Sequence, residues 1–349
     1  MMKPSLPHEA AASLGFPTLV SVSSLISIAH LFGSTKKRCG IYLLVFREGF
    51  FYVGQAVDVV RRFSQHRRVH NDIIGFSFLP ITKSELDTTE RTLIFRAEKN
   101  GIKLTNAIHV TNIVGDTDLD LVIPPSKQQE WLCSIPDTNY AASELPKISL
   151  PEVQQLRFLK NFSRFQRHPC SQRALALFRQ YVLSCLPFPR DTEYSFWSVS
   201  CMPSTNNNTW PRLFCVNAGV MELFVAGWEK DNPQALWSFV NVAEDVLIER
   251  WPSLEALAST FPFADVMRSG YRDAGQHQVS LQTHDAETMM QLLEDSCITK
   301  AAATLALRVM RKRATIYGKF HCPQFVNQAL FPQSTLATNS AEIASPSQP

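Results

Sequence analysis

A chain of 349 residues, 45% hydrophobic and 19% charged, has room for two or three domains with cores of their own, and its composition excludes a disordered or fibrous protein. The net charge of +3 names no partner by itself, but it is uneven: residues 36–109 hold 13 Lys and Arg against 7 Asp and Glu, an excess of six, while the rest of the chain sums to −3. Such a basic segment points to a local polyanion contact, nucleic acid being the commonest, with a solvated helix face as the alternative.

In chain order, residues 16–33 (FPTLVSVSSLISIAHLFG) read as a short amphipathic helix within an N-terminal extension, 1–35. This run lacks a basic n-region and a small-residue cleavage site, and no apolar run reaches the roughly 18–20 residues of a membrane span, so no membrane contact is expected. Residues 40–46 are β-branched and aromatic and predict a strand; Arg47-Glu48-Gly49 is a turn and residues 50–54 a second strand. Asp58 is a helix N-cap for a helix to about Val69, residues 73–81 are a third strand, and a second helix begins at Asp87 or Thr88 and stops at Asn100-Gly101.

Residues 36–112 thus predict a small module, and the proline-bearing stretch 113–150 a linker. A helical segment follows at 151–190, with helices at 152–167 and 171–186. The first helix interleaves Phe158, Phe162 and Phe165 with Arg157, Lys160, Arg164 and Arg167; aromatics at this spacing are read as core in preference to a nucleic-acid face. Residues 191–332 alternate apolar runs with Asn, Gly and Pro before two helices, which predicts an α+β accessory domain, and 333–349 has the composition of a disordered tail. The eight cysteines show no CxxC pair, which argues against structural zinc and suits a reducing, cytoplasmic setting.

The stretch of most chemical interest is CGIYLLVFREGFFYVGQAVDVVRRFSQHRR, residues 39–68. Arg62 and His66, four residues apart, share one helix face, while Tyr42 and Tyr52 lie on adjacent strands where two phenols can meet. With Glu90 in TTERTLI, these side chains supply the parts needed to cut a phosphodiester: a group to activate water, a cation to hold phosphate and a carboxylate for a hard metal ion. Glu98 is a weaker alternative to Glu90.

This pattern resembles the GIY-YIG nuclease family. Gly40-Ile41-Tyr42 matches its first triplet and, after nine intervening residues, Tyr52-Val53-Gly54 its second, with Val for the commoner Ile. Arg62, His66, Glu90 and Asn106 fall where the family has its arginine, its helix His or Tyr, its metal-binding glutamate and its closing asparagine. The match covers residues 38–108, about a fifth of the chain. The resemblance implies a mixed α+β fold, a three-stranded antiparallel sheet with flanking helices, followed by helices and a separate α+β domain. It implies a metal-dependent DNA endonuclease with a single Mg²⁺ or Mn²⁺ on Glu90. Tyr42, Tyr52, Arg62, His66 and Glu90 would be catalytic, with Gly40, Gly54 and Asn106 supporting the site and Arg61, Arg67 and Arg68 contacting nucleic acid. Tyr42 is expected to activate water, its phenol lowered by nearby positive charge. The C-terminal region is expected to recognise substrate, a partner protein or a second copy of the chain, in a bacterial or phage setting. The competing expectations are a non-cleaving binding protein that keeps the fold, or an RNA-directed nuclease.

Overall fold

The middle of the first unit is a strand with no exposed residue. The computed structural model describes residues 7–33, 37–134, 151–268 and 270–331. They separate into two units, one of residues up to 116 with 272–276, the other of residues 117–271 with those from 277 onward. In the first, α1 (Pro7–Ser13) and the two-residue β1 (Val20–Ser21) precede the hairpin of β2 (Gly40–Phe46) and β3 (Phe51–Ala56). Then come α2 (Val59–Val69), β4 (Ile73–Pro80) and α3 (Leu86–Lys99). The sheet is antiparallel throughout, in the order β1-β4-β2-β3.

Side chains of a strand alternate between faces, and both faces of β2 are covered. Ile41, Leu43 and Val45 pack with Leu93, Ile94 and Ala97 of α3. Tyr42, Leu44 and Phe46 pack with Val59 and Phe63 of α2. Double coverage explains why GIYLLVF is an unbroken apolar run. The turn closes at Gly49, whose φ of +82° is one that glycine adopts without a Cβ penalty. Asp58 caps α2 by accepting from the N–H groups of Val60 (3.0 Å) and Arg61 (3.2 Å).

Two expectations change here. The sheet has four strands, because Val20 and Ser21 pair with Phe76 and Gly75 on the outer side of β4. Residues 16–33 therefore hold no long helix, only β1 and a 3₁₀ turn at Ala29–Leu31. Pro17 and the β-branched Thr18, Val20 and Val22 disfavour a helix there. The helix of this segment lies earlier, at α1, and Ala10, Leu14 and Phe16 join the α3-side core, so these residues are part of the first unit.

β3 lies at the sheet edge, and residues 103–106 close it. Phe51 N–H donates to the Lys103 carbonyl (2.9 Å) and Thr105 N–H to the Phe51 carbonyl (2.8 Å). The Asn106 side chain then imitates a neighbouring strand, accepting from Val53 N–H (3.0 Å) and donating to the Val53 carbonyl (2.6 Å).

The second unit begins with α4 (Pro125–Ser134), α5 (Glu152–Gln166), α6 (Ser171–Cys185) and the single turn α7 (Pro189–Thr192). Next come β5 (Trp197–Cys201), β6 (Arg212–Ala218), β7 (Met221–Glu229), β8 (Asn232–Ala243), α8 (Glu244–Leu247), α9 (Leu254–Thr260), β9 (Asp265–Arg268) and β10 (Gln278–Thr283). α10 (Ala286–Glu294), α11 (Ser296–Lys312) and α12 (Pro323–Leu330) complete it. The six strands form an antiparallel sheet in the order β5-β6-β7-β8-β10-β9. Phe165, Phe178, Phe214 and Phe325 meet ring to ring, so α5, α6 and α12 share one core with the sheet. The separate helical segment expected at 151–190 is thus merged with the accessory domain. Part of the expected linker joins it too: Arg311 of α11 binds Asp120 and Gln128, each at 2.7 Å. Residues 135–150 and the expected tail 333–349 lie outside the described residues. Among the described residues no helix is long and apolar enough to cross a membrane.

Asn106→Ala should leave Val53 N–H and C=O without these partners at a buried edge, lowering stability by about 1–3 kcal/mol. Urea unfolding reads this as a lower midpoint at constant slope; an unchanged midpoint would show that the edge does not need the clamp.

Candidate functional site

Register brings the phenols together. Tyr42 pairs with Gly54 and Leu44 with Tyr52, so both tyrosines occupy the α2 side of the sheet, their rings stacked with centroids 6.0 Å apart. Gly54 is required by this contact, since a Cβ there would lie 2.5 Å from the Tyr42 hydroxyl. Gly40 is required too, because a Cβ would collide with the Leu79 carbonyl. On α2, Arg62 and His66 face the same hydroxyl: Arg62 Nε donates to Tyr42 Oη at 3.3 Å and His66 Nε2 lies 2.8 Å from it. The His66 ring also sits 4.9 Å from the Tyr52 ring. Beside the cluster, Arg62, Gln65, His66, Val69 and His70 line an open hollow of about 420 Å³.

Protonation follows from the surroundings. Burial, reinforced by Tyr52, pushes the Tyr42 phenol up, and the opposing pull of Arg62 does not prevail. This runs opposite to the phenol lowered by positive charge that the sequence suggests, because sequence gives no measure of how deeply Tyr42 is buried. His66 is pulled down to about 4 by burial, then by Arg62 and His70, so its ring is neutral at neutral pH. Arg62 can only donate, which directs the Tyr42 proton to His66 Nε2 as acceptor and leaves the His66 proton on Nδ1. The hydrogen bond to Tyr42 raises Arg62 further, keeping it a permanent cation.

Glu90 belongs to a second cluster, on α3, which packs on the opposite face of the sheet. Its Oε2 accepts from Gln55 Nε2 of β3 at 2.9 Å, and burial raises the carboxyl. Asp87, one helical turn earlier, and the buried His109 complete a group whose ligand atoms lie within 4.8 Å of one another. Two carboxylates and an imidazole form a donor set that fits a divalent cation. Opposing this, Arg272 Nη2 lies 3.0 Å and Arg91 Nη2 3.7 Å from Asp87 oxygens. Sequence reasoning missed Asp87, His109 and Gln55. The spacing of Asp87 and Glu90 was a usable signal for one helix face, but nothing local marks His109, whose left-handed backbone (φ +67°) is fixed by the fold.

The remaining candidates separate clearly. Arg61 and Arg68 are exposed. Arg67, grouped with them by sequence, instead donates to the backbone carbonyls of Val22 (2.7 Å), Ile73 (3.1 Å) and Asn71 (3.4 Å), tying α2 to the sheet. Glu98, the alternative metal carboxylate, accepts from Thr111 N–H (2.7 Å) and Oγ1 (3.1 Å), which anchors the segment carrying His109. His321 is structural: its Nδ1 accepts from Val199 N–H (3.2 Å) and its Nε2 meets Glu193 at 2.9 Å.

The folded chain holds His66 near 4 while the unfolded chain returns it to 6.5, so between these values the unfolded state binds the extra proton. This contribution to stability is full above pH 6.5 and is lost as pH falls toward about 4. His66→Gln cannot titrate, and its thermal midpoint should fall less steeply over that window than that of the parent; parallel curves would contradict the assigned shift. No family model, curated protein or solved structure matches the chain.

Proposed function

We propose that the first unit is a metal-dependent endonuclease module of GIY-YIG type that hydrolyses phosphodiester bonds in DNA, with the second unit recognising substrate, a partner protein or a second copy. The observation that carries this reading is the convergence of Arg62 and His66 on the Tyr42 hydroxyl, beside an open hollow. A guanidinium, a neutral imidazole and a phenol around one point are suited to a phosphate and an attacking water.

In this reading Arg62 holds the scissile phosphate and stabilises the charge that grows on it. The unionised Tyr42 works as a relay: its oxygen takes a proton from the attacking water as its own proton passes to His66 Nε2. The base is therefore the Tyr42–His66 pair, with Tyr52 packed against both rings. Glu90, Asp87 and His109 would hold the divalent ion, and the imidazole among them favours Mn²⁺ over Mg²⁺. When bound, the ion would supply Lewis-acid charge to a phosphodiester lying across edge strand β3, which carries Tyr52 to the first cluster and Gln55 to the second. Arg61 and Arg68, exposed on α2, would contact backbone phosphates. Hydrolysis of this kind leaves 5′-phosphate and 3′-hydroxyl ends.

A second reading is a binding module that does not cleave. It is favoured by the placement of Glu90 in a cluster of its own and by the pairing of Asp87 with Arg272. Cleavage of supercoiled plasmid, single-stranded DNA and RNA with Mn²⁺, Mg²⁺ or EDTA separates the two and names the substrate class. The nuclease reading expects metal-dependent cutting that Glu90→Ala abolishes and Arg62→Ala lowers by about 10²–10³. Arg61→Ala should mainly weaken binding and flatten its salt dependence. Cutting retained by Glu90→Ala, or binding without cutting in every metal, would sink it.

A further inference from the structure

The second unit has a cleft of its own where α5 meets β5 and β6. Its larger chamber, about 310 Å³, has Phe158, Tyr317 and Phe320 among its walls, with Asn217 and Glu222 presenting polar groups. That volume is at the lower end of small-molecule sites. A smaller chamber, about 130 Å³, adjoins it and is lined by Arg157, Arg164 and Arg212 together with Asn161, Asn207 and Trp228. Arg157, Asn161, Pro203, Ser204 and Arg212 line both, so the two are one cleft.

The charges in this cleft are unbalanced. Glu222 is the one carboxylate among the described lining residues; it is paired with Arg212 and accepts from the Tyr271 hydroxyl at 2.8 Å. Arg157 and Arg164 are exposed on α5 and make no ion pair among the described residues. Arg212 has only 12% of its side chain exposed, and its buried Nε has no hydrogen-bond partner in the described residues. A buried donor left unmatched is costly, and Arg212 lines both chambers. Two exposed guanidiniums, Arg157 and Arg164, beside the Glu222-paired Arg212 give the small polar chamber an excess of positive charge that suits a phosphate group, and an aromatic-walled chamber beside it suits a planar ring.

We infer that this cleft binds a phosphorylated nucleoside unit, with its phosphate on Arg157 and Arg164 and its base in the aromatic chamber, where Asn217 and the Arg212–Glu222 pair face its edge. The ligand is a nucleotide because only the two chambers together accommodate both an anion and a ring. This site is independent of the first unit's chemistry.

Calorimetric titration of the full chain with the four ribonucleoside 5′-monophosphates and with inorganic phosphate tests it. At least one nucleotide should bind, and inorganic phosphate should bind at least about tenfold more weakly. Arg157→Ala and Arg164→Ala, both at exposed positions that should fold normally, should each weaken the nucleotide by about tenfold. Glu90→Ala should bind it as the parent does, which separates this site from the proposed nuclease centre. A 5′-phosphorylated dinucleotide run alongside identifies the source: tighter binding assigns the end of a strand, weaker binding a free nucleotide. Absence of nucleotide binding, phosphate binding as tight as nucleotide, or unchanged affinity in the Arg157→Ala/Arg164→Ala double variant would overturn the proposal.

Discussion

The pairing of Tyr42 with Gly54 is the constraint on which the first unit's polar cluster depends. The tyrosine ring occupies space that any side chain at position 54 would need, so the second glycine triplet exists to seat the phenol of the first. A slip of one residue would turn Tyr42 toward α3 and Leu43 toward α2, exchanging a polar cluster for an apolar one. Burial of β2 on both faces makes that slip costly, because every side chain of the strand would move into the wrong core. Foldedness and site geometry are therefore set by the same strand.

Strand parity also divides the charged groups. Even-numbered β2 residues face α2, with its Arg62 and His66, while odd-numbered ones face α3, with its Asp87 and Glu90. β3 serves both sides, Tyr52 touching the first cluster and Gln55 the second. The loop that brings His109 to Asp87 and Glu90 is held by a third acidic residue of the same helix, Glu98, through Thr111. Three carboxylates on one helix thus do different things: two gather with a buried imidazole, and the third fixes the backbone that delivers it.

What could be read from the sequence was what local chemistry dictates. Asp58 is followed by a regular apolar stripe and does cap α2, and the runs around Trp197, Phe214, Phe224 and Trp237 are strands because their residues are β-branched or aromatic and bounded by turn formers. β1 escaped because two residues cannot show a period. The cation at Arg67 looked free because its acceptors, the carbonyls of Val22 and Ile73, are brought to it only by the sheet. The same limit governed Tyr42: neighbouring positive charge is visible in the sequence, whereas the burial that outweighs it is not. His109 combines both difficulties, being distant from Glu90 in sequence and set in a backbone conformation that nothing nearby in the chain requires.

The asparagine at position 106 has a consequence beyond holding β3 in place. An edge strand presents a template on which another strand can grow, and sheets recruit partners or aggregate through such rims. By satisfying both ladder groups of Val53 with one short side chain, Asn106 ends the sheet without adding a strand to it. The rim at Val53 therefore offers no free backbone pair to an added strand, so growth of the sheet is blocked beside Tyr52.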